Sequence, residues 1–234
     1  MPKKENVRKM FDSIAPEYDK LNHILSLDID RRWRKAAVKE IVDTGSRLAV
    51  LDVACGTADF SIAIARKISG GSLVTGVDLS EKMLTIGRKK IVEEGLTDKI
   101  VIEPGDCERL RFPDENFDRV AVAFGVRNFE HLGTGIKEMH RVLRPGGKLV
   151  ILELSVPGNP LLRAMYKLYF LHILPAVGGL VSGDKAAYRY LPASVLKFPE
   201  PKAFLEIMES CGFSEVRAES FSAGICRMYT GIRK

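Results

Sequence analysis

Two rhythms of apolar residues alternate along this chain. Short apolar runs in RLAVLDV, GSLVTGVD, KIVIEPGD, FDRVAVAFG and KLVILELS read as five buried strands. Between them the apolar residues fall three and four apart. That spacing predicts a helix from about Phe60 to Ile68, one capped by Ser80, and one from His131 to Leu143 carrying Ile136, Met139, His140 and Leu143 on one side. Strand–helix alternation of this kind makes a mostly parallel sheet with helices on both faces. Arg144-Pro145-Gly146-Gly147 reads as a glycine C-cap that ends the last of these helices.

The flanks break the rhythm. Residues 1–45 read as two amphipathic helices, one carrying Met10, Phe11, Ile14, Tyr18, Leu21 and Leu25 with Pro16 at a break, the other Trp33, Ala36, Ala37, Val38 and Ile41. They precede the first strand and form a helical cap on the sheet region, 46–155. Residues 156–200 are densely apolar, but Pro and Gly divide them into pieces too short to span a bilayer, so they read as a cover facing a greasy substrate or a membrane surface. YRYLPAS reads there as an aromatic turn. Residues 201–234 give a helix from about Pro201 to Cys211 and two short strands meeting near Ser222–Gly224, an antiparallel hairpin. The chain is expected to be a single domain.

The first strand carries the candidate chemistry. Asp52 interrupts its apolar run, and Cys55, Gly56, Thr57 and Ala58 then turn it into a helix. A turn of small residues between strand and helix lets a ligand approach the backbone. A dinucleotide fingerprint is absent, since its three glycine positions hold Ala54, Gly56 and Asp59, and no Gly-Lys-Ser/Thr follows as a P-loop needs. The pattern D-x-A-C-G-T-A instead resembles the first motif of the class I S-adenosylmethionine (SAM) methyltransferases, whose cofactor has no phosphate for an acidic loop to repel. Asp78, which closes the second strand, is placed to accept hydrogen bonds from both hydroxyls of a ribose. Arg127 and Asn128 follow the end of the fourth strand, where open α/β sheets hold their reactive chemistry.

Composition narrows the picture a little. Hydrophobic residues make up 46% and charged residues 28% of 234 positions, as in ordinary globular proteins. A net charge of +6 suits a mildly anionic partner surface, but there is no long basic run and no base-stacking aromatic series, so no nucleic-acid partner is expected. The four cysteines show no C-x-x-C and no metal-like spacing, which predicts reduced thiols and no metal site. With no secretory signal in view, the chain is expected in the cytoplasm.

Taken together, FDSIAPEYDKLNHILSL with RRWRK, VLDVACGTAD, GVDLSEKML, NFDRVAVAFGVRNF, EMHRVLRPGGKLVILELS and YRYLPASVLKFP are similar to the ubiquinone/menaquinone biosynthesis C-methyltransferase family, nearly end to end. The resemblance implies a Rossmann-like class I SAM-dependent methyltransferase fold, with a seven-stranded sheet and a reversed final hairpin. It implies that Asp52, Gly56, Thr57, Asp78, Asp106 and Cys107 bind SAM, that Tyr18, Asn22, Arg127 and Tyr188 contact a polyprenyl quinol, and that Tyr18, Arg127 and Asn128 serve catalysis. The implied reaction is C-methylation of the quinol ring, demethylmenaquinol first and a methoxy-polyprenyl-benzoquinol second. Another small apolar acceptor, or an RNA substrate, stays open as an alternative. Peripheral contact with the inner face of the membrane and a homodimer are compatible with the family. Ala58 and Cys55 stand where its members usually have Gly, and Asp30 where they commonly have His.

Overall fold

The structure is a computed structural model that describes residues 3–19, 26, 28–42, 45–169 and 185–234, with the backbone alone at 167 and 185–189. Its helices are α1 (Lys4–Ile14), α2 (Ile29–Ile41), α3 (Asp59–Ala65), α4 (Glu81–Glu93), α5 (Leu132–Val142), α6 (Pro160–Leu168), α7 (Lys185–Lys197) and α8 (Pro201–Ser210). Its strands are β1 (Ala49–Val53), β2 (Leu73–Asp78), β3 (Ile100–Pro104), β4 (Phe117–Ala123), β5 (Leu143–Leu154), β6 (Phe213–Phe221) and β7 (Cys226–Arg233).

The strands form one seven-stranded sheet in the order β3-β2-β1-β4-β5-β7-β6. β1 to β5 run parallel, and β7 lies antiparallel between β5 and β6. The connection order reverses between β1 and β4, and a crevice opens past the strand ends at such a reversal. The hydrophobic runs are buried on both faces, as a parallel sheet requires. On one face Trp33, Ile41, Phe60, Ile64 and Leu84 pack against Val50 and Val74. On the other Ile136, Met139, Phe204 and Met208 pack against Leu51, Val122 and Tyr229. A smaller cluster of Ile14, Tyr166 and Val195 ties α1 to α6 and α7, so chain from both ends meets beside the sheet.

Three local expectations change. The Gly146-Gly147 pair does not cap α5. That helix stops at Val142, Leu143 is already extended, and the glycines lie inside the long strand β5 where its register against β4 shifts. A Cβ on Gly147 would stand 2.7 Å from the Arg144 carbonyl oxygen, so this excursion needs a residue without one. Second, the helix after the first turn is shorter than its pattern, ending at Ala65. Third, YRYLPAS is not a turn. It lies in α7, with Pro192 inside the helix. Proline costs a helix one donor, and the packing of Val195 on Ile14 and Tyr166 outweighs that local preference.

Candidate active site

Past the ends of β1, β2 and β4 lies an open cleft of about 730 Å³, including space continuous with solvent. Its floor is the turn after β1. Ala54, Gly56 and Ala58 all have positive φ, at 55°, 56° and 66°, which coils the chain tightly between strand and helix. Two of those three carry a Cβ, a conformation that costs an L-residue on the order of 1 kcal/mol. The opposing strands make room for the side chains. A Cβ on Gly125 would stand 2.7 Å from the Ala54 Cβ, and one on Gly76 would stand 2.9 Å from the Cys55 Sγ. Ala58 faces Gly87 of α4 in the same way, at 3.2 Å. The side chains of Ala54, Cys55 and Ala58 in this loop are thus matched by glycines across from them.

Asp78 joins the turn to the second strand. Its Oδ2 accepts the Gly56 N–H at 2.9 Å and its Oδ1 accepts the Ser80 N–H at 2.8 Å. Burial pushes its carboxyl above the ordinary range, and those N–H groups pull it back in part. Each oxygen keeps acceptor capacity for a ligand hydroxyl. At the end of β3, the Asp106 Oδ1 accepts the Glu108 N–H at 2.9 Å and its Oδ2 accepts the Lys4 ammonium at 2.7 Å. Burial would raise Asp106, but Lys4 and the Glu108 N–H outweigh it and hold the carboxyl low.

The N-terminal segment roofs the cleft. Lys4, Val7, Arg8 and Phe11 of α1, with Tyr18, line it from above. Polar contacts fasten this roof at several points. Ser80 donates its hydroxyl to Asp12 at 2.5 Å while accepting the Met83 N–H as the cap of α4. Asp19 accepts the Thr57 hydroxyl at 2.5 Å and the Lys90 ammonium at 2.7 Å, and Lys90 also pairs with Asp59. Burial alone would lower the Lys90 pKa, but Asp59 and Asp19 together raise it, so the ammonium stays charged.

Tyr18, Gly56, Asp78, Asp106, Cys107 and Asn128 all border the cleft. Three further expected site residues stand behind it. Thr57 is buried and turns its hydroxyl to Asp19, so it ties the loop after β1 to the roof. Asp52 lies beneath the loop, 1% exposed, where Ser61 donates to its Oδ2 at 2.5 Å and its Oδ1 has no partner among the described residues. Burial pushes Asp52 up to about 7. Arg127 is sealed at 6% exposure; its Nη1 donates to Glu153 at 2.6 Å and to the Phe124 carbonyl, and its Nε has no partner among the described residues. Asn22 lies outside the described residues, as does the side chain of Tyr188, which sits on α7. His140 packs edge-on against Phe213 at 5.0 Å, a structural placement. All four cysteines are buried and free.

Sequence reasoning does not single out Glu153, and it marks Tyr190 only as part of the Tyr188-Tyr190 signature, without a role in the site. Glu153 is wholly buried in β5, where its carboxylate accepts both the backbone N–H and the guanidinium of Arg127. Burial would lower the Arg127 pKa, and Glu153 raises it instead, so the guanidinium stays charged. The signal was present, because Glu153 interrupts an apolar strand just as Asp52 does. Tyr190 donates to the Asn128 Oδ1 at 2.9 Å from a helix far along the chain, a contact that no local pattern reveals.

The sequence profile of the ubiE/COQ5 methyltransferase family matches residues 1–233. The chain belongs to that family. A demethylmenaquinone methyltransferase of Bacteroides fragilis is 43% identical over 99% of this chain and 94% of its own length. A ubiquinone/menaquinone biosynthesis C-methyltransferase of Geobacter sulfurreducens is 46% identical over 98% and 89%. Among solved structures the cyclase SpnF superposes with a TM-score of 0.72 at 17% identity, covering 99% of this chain and 97% of its own. A SAM-dependent methyltransferase, possible histamine N-methyltransferase, of Thermotoga maritima gives 0.67 at 19% identity, covering 97% and 99%. Those two establish the shared fold of this ubiE/COQ5 family member and nothing of its substrate.

Two outcomes follow from the loop. Gly125→Ala should lower stability by about 1–3 kcal/mol through overpacking on Ala54, and adding Ala54→Gly should recover most of it, because glycine both clears the contact and suits a positive φ. Chemical denaturation of the three variants reads this, and a double variant no more stable than Gly125→Ala would refute it. Asp52 holds its proton more tightly in the folded chain than an unfolded carboxyl does. Its contribution to stability is therefore largest in acid and is lost as pH rises through about 7. Denaturation midpoints of Asp52→Asn relative to wild type should shift in the variant's favour as pH rises from about 4 to about 8; a constant gap would refute the assignment.

Proposed function

We propose that this chain transfers the methyl group of SAM to a ring carbon of a polyprenyl quinol, with demethylmenaquinol as its first substrate. The observation that carries the reading is one continuous cleft with two chemistries. One half has Gly56, Asp78, Asp106 and Cys107; the other has Tyr18, Phe124, Phe129 and Asn128. The near end-to-end identity to named quinone-pathway methyltransferases supports the substrate. The names of those relatives have the menaquinone route in common, which favours the naphthoquinol.

The residues present fit SAM. Asp78 retains acceptor sites for hydroxyls, Gly56 brings a bare backbone to the cleft, and Asp106 and Cys107 stand at the adjoining strand end. In the cleft lining Asp78, Asp106, Glu108 and Glu130 outnumber Lys4 and Arg8, a balance suited to a cationic ligand. When bound, SAM supplies a methyl group on a sulfonium that leaves as a neutral thioether. The protein's part is to hold a ring carbon in line with that methyl group and to keep bulk water out, since proximity supplies much of the acceleration. A quinol hydroxyl gives up its proton to water, and its electrons make the neighbouring ring carbon nucleophilic. The new C–C bond forms as the methyl–sulfur bond breaks, the ring C–H proton is then lost to water, and the oxygen takes one proton back, so the aromatic quinol is restored with one proton released overall.

Arg127 is permanently charged and so is not the base. Buried beside Tyr18 and Tyr190, it lends a positive field to the wall where the quinol oxygen becomes anionic, and Asn128 meets that oxygen directly. Glu153 keeps the arginine in place, and breaking such a buried pair costs about 3–5 kcal/mol.

The apolar cover is read as the route for the prenyl tail and as a resting face on the bilayer. On α6, Leu161, Met165 and Leu168 are 71%, 61% and 61% exposed and follow one another at four- and three-residue spacing. No helix among the described residues is long and apolar enough to cross a membrane. A surface contact is therefore the form that this reading takes, aided by the +6 charge on anionic lipid.

Methyl transfer from labelled SAM to chemically reduced demethylmenaquinol and to a methoxy-polyprenyl-benzoquinol, measured side by side, tests the substrate. Transfer to the naphthoquinol is expected, and SAM binding with transfer to neither would overturn it. Cosedimentation with anionic liposomes at low salt should retain the wild-type chain and lose most of it on Leu161→Ser with Met165→Ser. Equal retention of both would remove the membrane face.

A further inference from the structure

We propose that Tyr190 is a positioning residue that locks the Asn128 amide with its nitrogen available to the cleft, making Asn128 a hydrogen-bond donor to the substrate's phenolate-type oxygen. This rests on the quinol reading above and assigns the polarity of its oxygen site.

A carboxamide can present either an acceptor or a donor, and the two are opposite in effect on an anion. Here the surroundings choose. The Tyr190 hydroxyl lies 2.9 Å from Asn128 Oδ1, and the amide nitrogen lies 3.5 Å from the Phe124 carbonyl oxygen. Turning the amide over would point two oxygens at each other across that second gap, so the Phe124 carbonyl disfavours the flip. Burial pushes the Tyr190 hydroxyl up to about 12, and it remains a protonated donor at working pH. With Oδ1 thus capped, the group left to offer the cleft is the amide nitrogen, which carries two hydrogens and has spent at most one on Phe124.

The backbone holds the same arrangement. Asn128 ends a short 3-10 turn, Val126–Asn128, whose Asn128 N–H donates to the Gly125 carbonyl at 3.0 Å. The turn is anchored from below by Glu153, which accepts the Arg127 N–H at 3.2 Å. The amide therefore stands on a fixed base with one acceptor satisfied before substrate arrives. A donor arranged in advance of charge development costs no reorganisation at the moment of reaction. The tyrosine that sets it comes from α7, in the C-terminal part of the chain, so the oxygen site is completed by a helix that lies outside the cofactor-binding strands.

The test is a double-mutant cycle on Tyr190→Phe and Asn128→Ala, with kcat and KM measured at saturating SAM on reduced demethylmenaquinone. Tyr190→Phe should lower kcat by about 10- to 100-fold, at or below the loss for deleting an oxyanion donor outright, with a much smaller change in KM. In the Asn128→Ala background the same Tyr190→Phe change should have no further effect, because Tyr190 acts through that amide. Asn128→Asp, which replaces the donor by a charged acceptor, should be less active than Asn128→Ala. Wild-type kcat in Tyr190→Phe, a loss that persists undiminished without Asn128, or an Asn128→Asp enzyme as active as wild type would each overturn the proposal. So would a Tyr190→Phe protein that fails to bind SAM by calorimetry, which would assign Tyr190 to the fold. A wild-type protein that binds SAM but methylates no quinol would overturn the functional reading and the inference with it, and the wild-type control alone reveals that case.

Discussion

The turn after β1 has to pass within contact distance of three neighbouring elements while leaving its backbone open to a ligand. Everything around the cleft depends on that steric constraint. Interiors are packed like crystals, so one extra carbon is felt. Ala54, Cys55 and Ala58 fill space that glycines would leave empty, and Gly125, Gly76 and Gly87 supply the matching gaps on β4's end, β2 and α4. The close approach makes the Gly56 N–H reach Asp78, and that bond sets the carboxylate beside the cleft. A loop and three opposing elements thus behave as one sterically coupled unit.

Charge is arranged around this unit in two ways. At the roof, carboxylates and ammonium groups are partly wet, as in Lys4–Asp106 and Asp19–Lys90, and they link the N-terminal segment to the end of β3 and to α4 without sealing it there. Below the far wall, Arg127 and Glu153 form a dry pair at 6% and 0% side-chain exposure. Pairs of the first kind add little stability each. A dry pair is unforgiving, since either partner alone would be an uncompensated buried charge. The first arrangement suits a roof that admits ligands, and the second suits a wall whose field must not move.

The likeness to SpnF shows how little the sheet itself says about chemistry. A cyclase and a SAM-dependent methyltransferase, possible histamine N-methyltransferase, both superpose on nearly the whole chain. The cleft of this chain is completed by the pieces added to the sheet. α1 and the residues around Tyr18 contribute the roof, and α6 and α7 contribute Tyr166, Val195 and Tyr190. Function resides in such additions more than in the common scaffold.

By itself the sequence determined the alternation of strands and helices, the antiparallel hairpin at the end, and the nucleotide-like loop with Gly56, Asp78 and Asp106 at successive strand ends. Those are consequences of apolar periodicity and of where a parallel sheet leaves its strand termini, and both are written locally. The tertiary structure decided the rest. That Thr57 serves Asp19, that Asp52 is sealed under the loop, and that Arg127 is spent on Glu153 depend on partners 38, 9 and 26 residues away. The Gly146-Gly147 pair looks like a helix cap in isolation and becomes a strand excursion only because β4 lies beside it. Pro192 looks like a turn and sits within a helix because Val195 has a core to enter. Local propensities are worth a few tenths to about 3 kcal/mol per residue, and burial of a side chain or satisfaction of a buried charge equals or exceeds that. Where the two disagreed, the long-range term prevailed, and most of those places are at or beside the candidate site.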